Sequence, residues 1–153
     1  MPKKIWITGA SSGIGKALAI KFSKEGWQVA ASARREKLLE ELSNNNSNIF
    51  SFPLDVVDQK NSLDTFNKIL EKLNNIDLCI FSTGFYDPKT EKQINLEQIK
   101  NTMNVNFFGT LNCIKAVEKY FKEKKNGHIS IVSSVAGYRG LPNSTGYGPS
   151  KAA

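Results

Sequence analysis

Three glycines lie close together near the start of the chain, in the stretch Thr8-Gly9-Ala10-Ser11-Ser12-Gly13-Ile14-Gly15. The stretch follows a short β-branched run over 4–8 and leads into a helical pattern, in which apolar residues recur every four positions. Glycines at such a strand-to-helix turn allow a tight turn, a close approach of backbone to a ligand and close packing of helix on strand. The free N–H groups of a helix N-terminus suit a pyrophosphate. We therefore predict a dinucleotide-binding loop here, rather than a turn with only a structural purpose.

The rest of the chain alternates between strand-like and helix-like patterns. We predict strands over 4–8, 27–33, 49–54, 76–81 and 128–132, and helices from 14 to Gly26, over 36–42, from the cap residue Asp58 through Leu73, and over 96–122. Strands that alternate with helices over short connections favour a parallel sheet with helices on both faces. The expected fold class is α/β, with a doubly wound parallel sheet in one domain over 1–153.

The composition excludes several classes of protein. Of the 153 residues, 40% are hydrophobic and 23% are charged, which is globular and not disordered. The two cysteines, Cys79 and Cys113, lie in apolar segments, and we expect buried free thiols and no disulfide scaffold. No apolar stretch approaches the ~20 residues of a membrane span, and Met1-Pro2-Lys3-Lys4 leads into no signal-peptide core. We therefore expect a cytoplasmic protein without a membrane partner.

The net charge of +7 comes from lysines spread along the chain. Their one tight cluster, Lys122 to Lys125, is interrupted by Glu123. Nucleic-acid binding would require a basic stripe interleaved with aromatic residues, and the sequence has none. We expect no nucleic-acid partner and no metal, whereas a small ligand with phosphate groups is compatible with the charge.

The end of the second predicted strand bears on the choice of dinucleotide. Domains that bind NAD usually have an acidic residue there, which accepts hydrogen bonds from the ribose. This chain has Ala33 followed by Arg34 and Arg35. A guanidinium can bind a ribose 2′-phosphate through two charge-assisted hydrogen bonds. We therefore expect NADP(H) over NAD(H), with Arg34 as the stronger candidate; alternatively, both arginines are solvated residues at a helix start.

A tyrosine and a lysine four positions apart, Tyr147 and Lys151, are candidates for acid–base chemistry. On a helix this spacing puts both side chains on one face. An ammonium beside a phenol favours the phenolate, which makes the tyrosine a usable acid or base. The spacing alone is weak evidence, because Tyr120 and Lys124 also match it. We interpret that second pair as structural, at the end of a surface-type helix.

Together these motifs resemble the short-chain dehydrogenase/reductase family, which has the pattern T-G-x-x-x-G-x-G in its first loop and Y-x-x-x-K near its active site. The resemblance runs over the whole chain and implies a Rossmann-type fold. It implies four catalytic residues: Asn106, Ser134, Tyr147 and Lys151. It implies cofactor contacts from Gly9, Ser11, Ser12, Gly13, Ile14, Gly15, Arg34, Arg35, Asp55, Val56, Gly84, Tyr147 and Lys151.

The resemblance also implies a role for each catalytic residue. Ser134 would polarise the oxygen of a small carbonyl or alcohol substrate, and Tyr147 would protonate it. Lys151 would bind the nicotinamide ribose, tune Tyr147 and pass protons toward a water held by Asn106; Asn104 is a nearby surface decoy. Substrate specificity would come partly from the loops 85–95 and 138–146. Members of the family are usually homo-oligomers.

One position departs from the family pattern. The segment after the fourth strand reads Ser82-Thr83-Gly84, where the family usually has Asn in place of Ser82. The departure puts the local hydrogen bonding of the sheet in question.

The length leaves alternatives open. Two βαβαβ halves need roughly 200–250 residues, so we expect a sheet that is incomplete at its C-terminal end. Proline is tolerated in the first turn of a helix, so Pro149 puts Tyr147 at or just before a helix start. We expect the protein to be an NADP-dependent oxidoreductase of which this chain alone is weakly active or inactive. The alternatives are a non-catalytic nucleotide-binding domain and an inactive truncated fragment. An epimerase or dehydratase of the extended branch is disfavoured by the glycine spacing.

Overall fold

The computed structural model describes residues 2–89 and 91–153. It contains one sheet of five parallel strands. The strands are β1 Lys4–Thr8, β2 Gln28–Ala33, β3 Ile49–Pro53, β4 Leu78–Phe81 and β5 His128–Ile131. The helices are α1 Gly13–Lys24, α2 Glu36–Asn44, α3 Gln59–Leu73, α4 Leu96–Met103, a π-helical segment Asn104–Phe108, α5 Gly109–Lys124, a 3-10 turn Val135–Gly137 and α6 Tyr147–Ala152.

The strand order is β3-β2-β1-β4-β5. The chain builds outward from the central strand β1 to β3, then returns to the other side of β1 for β4 and β5. Such a doubly wound sheet has a switch point between β1 and β4, outside whose carboxyl ends ligands bind. The predicted α/β class and doubly wound parallel sheet are confirmed, and the fold places the glycine-rich loop at the switch point.

Strand β1 divides the hydrophobic core into two layers. Its Trp6 lies in one layer, where the ring stacks on Phe66 with centroids 5.6 Å apart and meets Phe81 edge-on at 5.5 Å. Its Ile5 and Ile7 lie in the other layer. Because successive side chains of a strand point to opposite faces, a continuous apolar run fills both layers at once.

Both cysteines are buried and free, as predicted. They lie in the same apolar layer as Trp6. Burial raises the pKa of the Cys113 thiol to about 12, and burial also raises the pKa of Cys79. Since the thiolate is the reactive form, both are inert packing residues.

Several predicted helix ends agree with the structure. Asp58 caps α3, because its Oδ1 accepts a hydrogen bond from the N–H of Asn61 at 2.9 Å. Gly26 follows α1 with a φ of 83°, in the left-handed region that favours glycine. No helix in the described part of the chain has the length and hydropathy that a membrane crossing needs.

The predicted helix over 96–122 differs from the structure in one respect. The helical backbone widens to π-helical turns over Asn104–Phe108, between α4 and α5. The apolar residues continue through this segment without a break in period, so the pattern carries no sign of the widening. π-helical turns inside α-helices frequently accompany functional sites.

The pair Tyr120 and Lys124 has the structural role predicted, but it is partly buried rather than on the surface. The Tyr120 hydroxyl accepts from the N–H of Ile76 at 3.1 Å and donates to Asn75 at 2.8 Å. Lys124 Nζ donates to Asp77 Oδ1 at 3.0 Å. The difference arises because both side chains join the end of α5 to the segment that precedes β4.

Candidate functional site

The glycine-rich loop between β1 and α1 forms one wall of the site. Gly9 and Gly13 have φ values of 70° and 55°, which L side chains rarely adopt. A Cβ at Gly15 would lie 2.4 Å from the carbonyl oxygen of Gly9 and 2.7 Å from the hydroxyl of Ser82. The third glycine therefore allows α1 to pack directly on the loop, and the backbone stays open toward a ligand.

Ser82 supplies the hydrogen bond that its departure from the family pattern had put in question. Its Oγ donates to the carbonyl oxygen of Thr8 at 2.7 Å. The bond joins the carboxyl ends of β1 and β4 at the switch point. The replacement of Asn therefore leaves the two strand ends connected.

A cleft of about 640 Å³ opens at the carboxyl ends of the strands. This volume is within the range of roughly 300–1,000 Å³ that small-molecule and cofactor sites occupy. Every residue predicted to contact the cofactor lines it, namely Gly9, Ser11, Ser12, Gly13, Ile14, Gly15, Arg34, Arg35, Asp55, Val56, Gly84, Tyr147 and Lys151. The cleft therefore brings together residues from both sides of the switch point.

The two arginines after β2 differ in their contacts. Arg35 Nη2 donates to the hydroxyls of Ser11 at 2.9 Å and Ser12 at 2.5 Å, and its Nε donates to Ser11 at 3.2 Å. Arg34 also lines the cleft, but Arg35 is the one whose guanidinium these bonds join to the glycine-rich loop. A cationic group is thus fixed beside the loop, at the end of β2.

Tyr147 and Lys151 lie on α6, which begins at Tyr147 with Pro149 as its third residue, as predicted. Lys151 Nζ is 5.8 Å from the centre of the Tyr147 ring and donates to the carbonyl oxygen of Val132 at 3.0 Å. Burial lowers the pKa of Lys151, because removal from water disfavours the charged ammonium. The pair therefore places a phenol beside an ammonium that releases its proton more readily than an exposed lysine.

Asn106 lies in the π-helical segment and is buried, whereas Asn104 is exposed, as predicted. The side chain of Asn106 accepts from the N–H of Phe85 at 2.6 Å and donates to its carbonyl oxygen at 2.9 Å. It also donates to Ser150 Oγ of α6 at 2.9 Å. A Cβ at Gly84 would lie 3.9 Å from Asn106 Oδ1 and 3.7 Å from Lys151 Nζ, so these three residues converge.

The structure does not bring Ser134 into the lining of the cleft. Ser134 precedes the 3-10 turn, and its Oγ accepts from the N–H of Ala136 at 3.2 Å. Its neighbour Ser133 lines the cleft and donates to the carbonyl oxygen of Lys151 at 3.2 Å. Successive side chains of an extended backbone point to opposite sides, which separates the two serines. The catalytic role of Ser134 stays a prediction.

Two further side chains contact the tyrosine. The ring of Tyr86 lies on that of Tyr147, with centroids 4.5 Å apart and planes 33° apart. The Tyr86 hydroxyl donates to the carbonyl oxygen of Asn143 at 3.1 Å. Glu91 Oε2 accepts from the N–H of Tyr147 at 2.9 Å. Both come from the segment between β4 and α4, so this segment contacts both the ring and the backbone of Tyr147.

A family model described as short chain dehydrogenase matches residues 3–153. The chain belongs to the short-chain dehydrogenase family. It is 35% identical to mouse dehydrogenase/reductase SDR family member 7 over 155 residues, which is 96% of this chain and 46% of that protein. It is 32% identical to the 3-oxoacyl-[acyl-carrier-protein] reductase FabG of Thermotoga maritima, over 95% of this chain and 61% of that protein. The chain thus spans about half to two thirds of these relatives.

Solved structures show the same fold. ElxO with NADP bound superposes with a TM-score of 0.88 at 30% identity, over 99% of this chain and 63% of that chain. A structure of ElxO with NADPH bound has a TM-score of 0.89 over the same shares. These similarities confirm the Rossmann-type fold for the part of a short-chain dehydrogenase that this chain contains.

Sequence reasoning missed Glu91 and Tyr86. Both lie in the loop 85–95, which the family resemblance assigns to substrate specificity, but nothing in the local pattern singles out these two side chains. The one local signal is at the start of α6 of this short-chain dehydrogenase. Gly146, the residue before Tyr147, has no side chain to cap the helix. That signal predicts a distant acceptor without indicating which residue supplies it.

Proposed function

We propose that this protein is an NADP(H)-dependent oxidoreductase that interconverts a small carbonyl compound and the corresponding alcohol, with Tyr147 as the acid or base. The observation that carries the proposal is that one cleft is lined by the glycine-rich loop and Arg35 and also by Tyr147 and Lys151. Bound NADPH would supply a hydride for the carbonyl carbon. A cleft that joins a dinucleotide loop to a tyrosine acid suits this reaction.

The residues present fit the cofactor. A side chain at Gly15 would fill the space between loop and helix, with its Cβ 2.4 Å from the backbone of Gly9, so the loop is built for close backbone approach. Gly9 to Gly15 would hold the pyrophosphate at the N-terminus of α1. Asp55 and Val56, which also line the cleft, would lie against the adenosine, and Lys151 would bind the nicotinamide ribose.

The catalytic residues would divide the proton chemistry. Tyr147 would donate its phenolic proton to the carbonyl oxygen during reduction. The Lys151 ammonium would stabilise the phenolate that remains. Because burial lowers its pKa, Lys151 would also return a proton to Tyr147, with Asn106 at the inner end of this path. Ser134 would polarise the carbonyl oxygen.

The preference for NADP(H) is part of the proposal, with Arg35 as its main determinant. Its guanidinium is already oriented by Ser11 and Ser12, so little side-chain entropy would be lost on binding a 2′-phosphate. An acidic residue at the end of β2, which would repel that phosphate, is absent from positions 33–35. The solved ElxO structures with NADP and NADPH bound support the same choice.

The variant Arg35→Ala tests this preference. We expect the Kd for NADPH to rise about 10- to 100-fold, because a charge-assisted contact to the 2′-phosphate is lost, whereas the Kd for NADH changes little. Isothermal titration with both cofactors measures the two constants. Arg34→Ala should have a smaller effect, and Arg139→Ala, an exposed arginine outside the cleft lining, serves as the control. Equal losses for NADPH and NADH would contradict the proposal.

A non-catalytic nucleotide-binding domain is the second candidate, and turnover separates the two. NADPH absorbance is followed with a panel of aldehydes and ketones in a version extended to the length of its relatives; binding without turnover in that version would favour the second candidate. The expectation that this chain alone is weakly active is tested against a version extended to the length of its relatives, and equal activity would contradict it. A homo-oligomeric assembly and a cytoplasmic location stay predictions.

A further inference from the structure

The N-terminus of α6 obtains its hydrogen bonds from a residue far away in the sequence. The first N–H groups of any helix have no partner within the helix. Here the N–H groups of Gly146 and Tyr147 both donate to Glu91 Oε2, at 3.0 and 2.9 Å. The N–H of Gly148 donates to Ser144 Oγ at 2.9 Å, and Pro149 has no N–H. Every donor of this first turn is therefore satisfied, two of them by one carboxyl group 55 and 56 positions earlier.

Packing is tight around Gly146, the residue that precedes α6. A Cβ at Gly146 would lie 3.1 Å from the Cα of Ile99 and 3.5 Å from Glu91 Oε1. The usual capping side chains, Ser, Thr, Asp or Asn, would therefore require these neighbours to shift. Ser144, Gly146 and Gly148 are all buried. In the structure, the acceptor for the N–H groups of Gly146 and Tyr147 comes from another segment.

Glu91 occupies an environment that is costly for a carboxyl group. It is 1% exposed, and its Oε1 has no hydrogen-bond partner in the described ranges 2–89 and 91–153. Glutamate is almost never fully buried unless it is paired, and a buried polar atom without a partner is destabilising. The hydrogen bonds that Oε2 accepts from the N–H groups of Gly146 and Tyr147 offset part of this destabilisation.

We propose that Glu91 is a positioning residue that fixes the backbone of Tyr147 and, through α6, the distance between Tyr147 and Lys151; this inference rests on the proposed function. Glu91 holds the first N–H groups of α6, and Ser133 Oγ holds the carbonyl oxygen of Lys151 at 3.2 Å. The helix is thereby attached at both ends to other segments. An acidic side chain at a helix N-terminus also complements the helix dipole.

Two variants separate the hydrogen bonds of Glu91 from its volume. Glu91→Met keeps much of the side-chain volume and removes both acceptors. Glu91→Gln keeps one amide oxygen that can accept from both N–H groups. Glu97→Met, at an exposed glutamate in the first turn of α4, is the matched control.

Amide hydrogen exchange in the 153-residue chain tests the proposal without an activity measurement. In Glu91→Met we expect the amides of Gly146 and Tyr147 to exchange about tenfold faster than in the wild type, and nuclear Overhauser contacts between the Tyr147 ring and Lys151 to weaken. In Glu91→Gln and Glu97→Met, exchange should stay close to the wild type. Unchanged protection of both amides in Glu91→Met, with the ring contacts kept, would overturn the proposal.

Kinetics separate positioning from general stability. In the version extended to the length of its relatives, Glu91→Met should lower the kcat for carbonyl reduction about 100-fold, the loss that a displacement of roughly 1 Å can cause. The Kd for NADPH should rise much less than that, because Arg35 and the glycine-rich loop are untouched and only the contact from Lys151 shifts. Glu91→Gln should recover most of the kcat. A parallel loss of NADPH binding and kcat would show a general structural effect and reject the positioning role. An extended wild type that binds NADPH without turnover would reject the proposed reaction, and the amide exchange would still decide the role of Glu91.

Discussion

The side chain of Asn106 connects several segments of the site through hydrogen bonds. Its amide pairs with both backbone groups of Phe85 and with the hydroxyl of Ser150. The residue thus joins three parts of the fold: its own π-helical segment, the loop after β4 and the helix that carries Lys151. The position that the family resemblance assigns to a proton relay is at the same time a structural junction.

The variant Asn106→Ala should lower the free energy of unfolding by about 3 kcal/mol, since three hydrogen bonds of a buried group are lost at about 1 kcal/mol each. Urea unfolding followed by circular dichroism measures the change. Asn104→Ala, two positions away and exposed, is the control, and its effect should stay within about 0.5 kcal/mol. Similar effects of the two variants would show that the contacts of Asn106 contribute little.

At the scale of elements, the turn from β1 to α1 depends on close packing. Helix α1 approaches its own loop so closely that Gly15 has no room for a side chain. The same contact involves Ser82, whose hydroxyl joins β4 to β1. The loop, the helix start and the two strand ends therefore form one packed unit, on which the shape of the cleft depends.

The variant Gly15→Ala should destabilise this unit by about 1–3 kcal/mol, the usual cost of overpacking, and should weaken NADPH binding because the loop must move. Thermal unfolding and NADPH titration measure the two effects. Gly140→Ala is the matched control, since a Cβ there meets nothing within 4 Å. A Gly15→Ala variant that binds NADPH like the wild type would contradict the role assigned to the loop.

At the scale of the whole molecule, Asp77 links elements at the end of the sheet opposite to the cleft. Its Oδ2 accepts from the N–H of Lys4 in β1 at 2.9 Å. Its Oδ1 accepts from Asn75 at 2.7 Å and from Lys124 of α5 at 3.0 Å. Burial alone would raise the pKa of the Asp77 carboxyl, but the hydrogen bonds from Asn75, Lys4 and Lys124 together lower it below its usual value of 3.8.

This network should make stability depend on pH in acid. A carboxyl group whose pKa is lowered by folding stabilises the fold above its unfolded value of 3.8, and the contribution is lost as the pH falls through the lower folded value. At pH 7, Asp77→Asn should therefore be about 1 kcal/mol less stable than the wild type, with allowance for the partial exposure of the pair. The difference should shrink below pH 3.8.

Urea unfolding of wild type and variant at a series of pH values measures this dependence. Asp64→Asn, at an exposed position of α3, is the control and should show no such trend. A difference between wild type and Asp77→Asn that stays constant from pH 7 to pH 2 would contradict the contribution assigned to the ionised carboxyl group.

The predictable part of the fold follows from local patterns. Apolar runs and four-residue repeats located the strands and helices of the described chain to within about two residues at most ends. The glycine-rich turn and the pair Tyr147 and Lys151 were recognised because each motif spans only a few positions of the chain. The chemistry of each depends on residues that are neighbours in sequence. Asp58 and Gly26 were placed correctly at helix ends because capping depends on one or two neighbouring residues.

The sequence by itself therefore determined the doubly wound α/β fold, the glycine-rich loop and the pair Tyr147 and Lys151, since these depend on periodicity and on motifs a few residues long. Only the tertiary structure decided which arginine is held against the loop, which of Ser133 and Ser134 lines the cleft, and where the helix widens around Asn106. It also decided that Glu91 satisfies the start of α6. These features depend on contacts between residues 23 to 56 positions apart or on small changes of backbone geometry, and no local pattern encodes either.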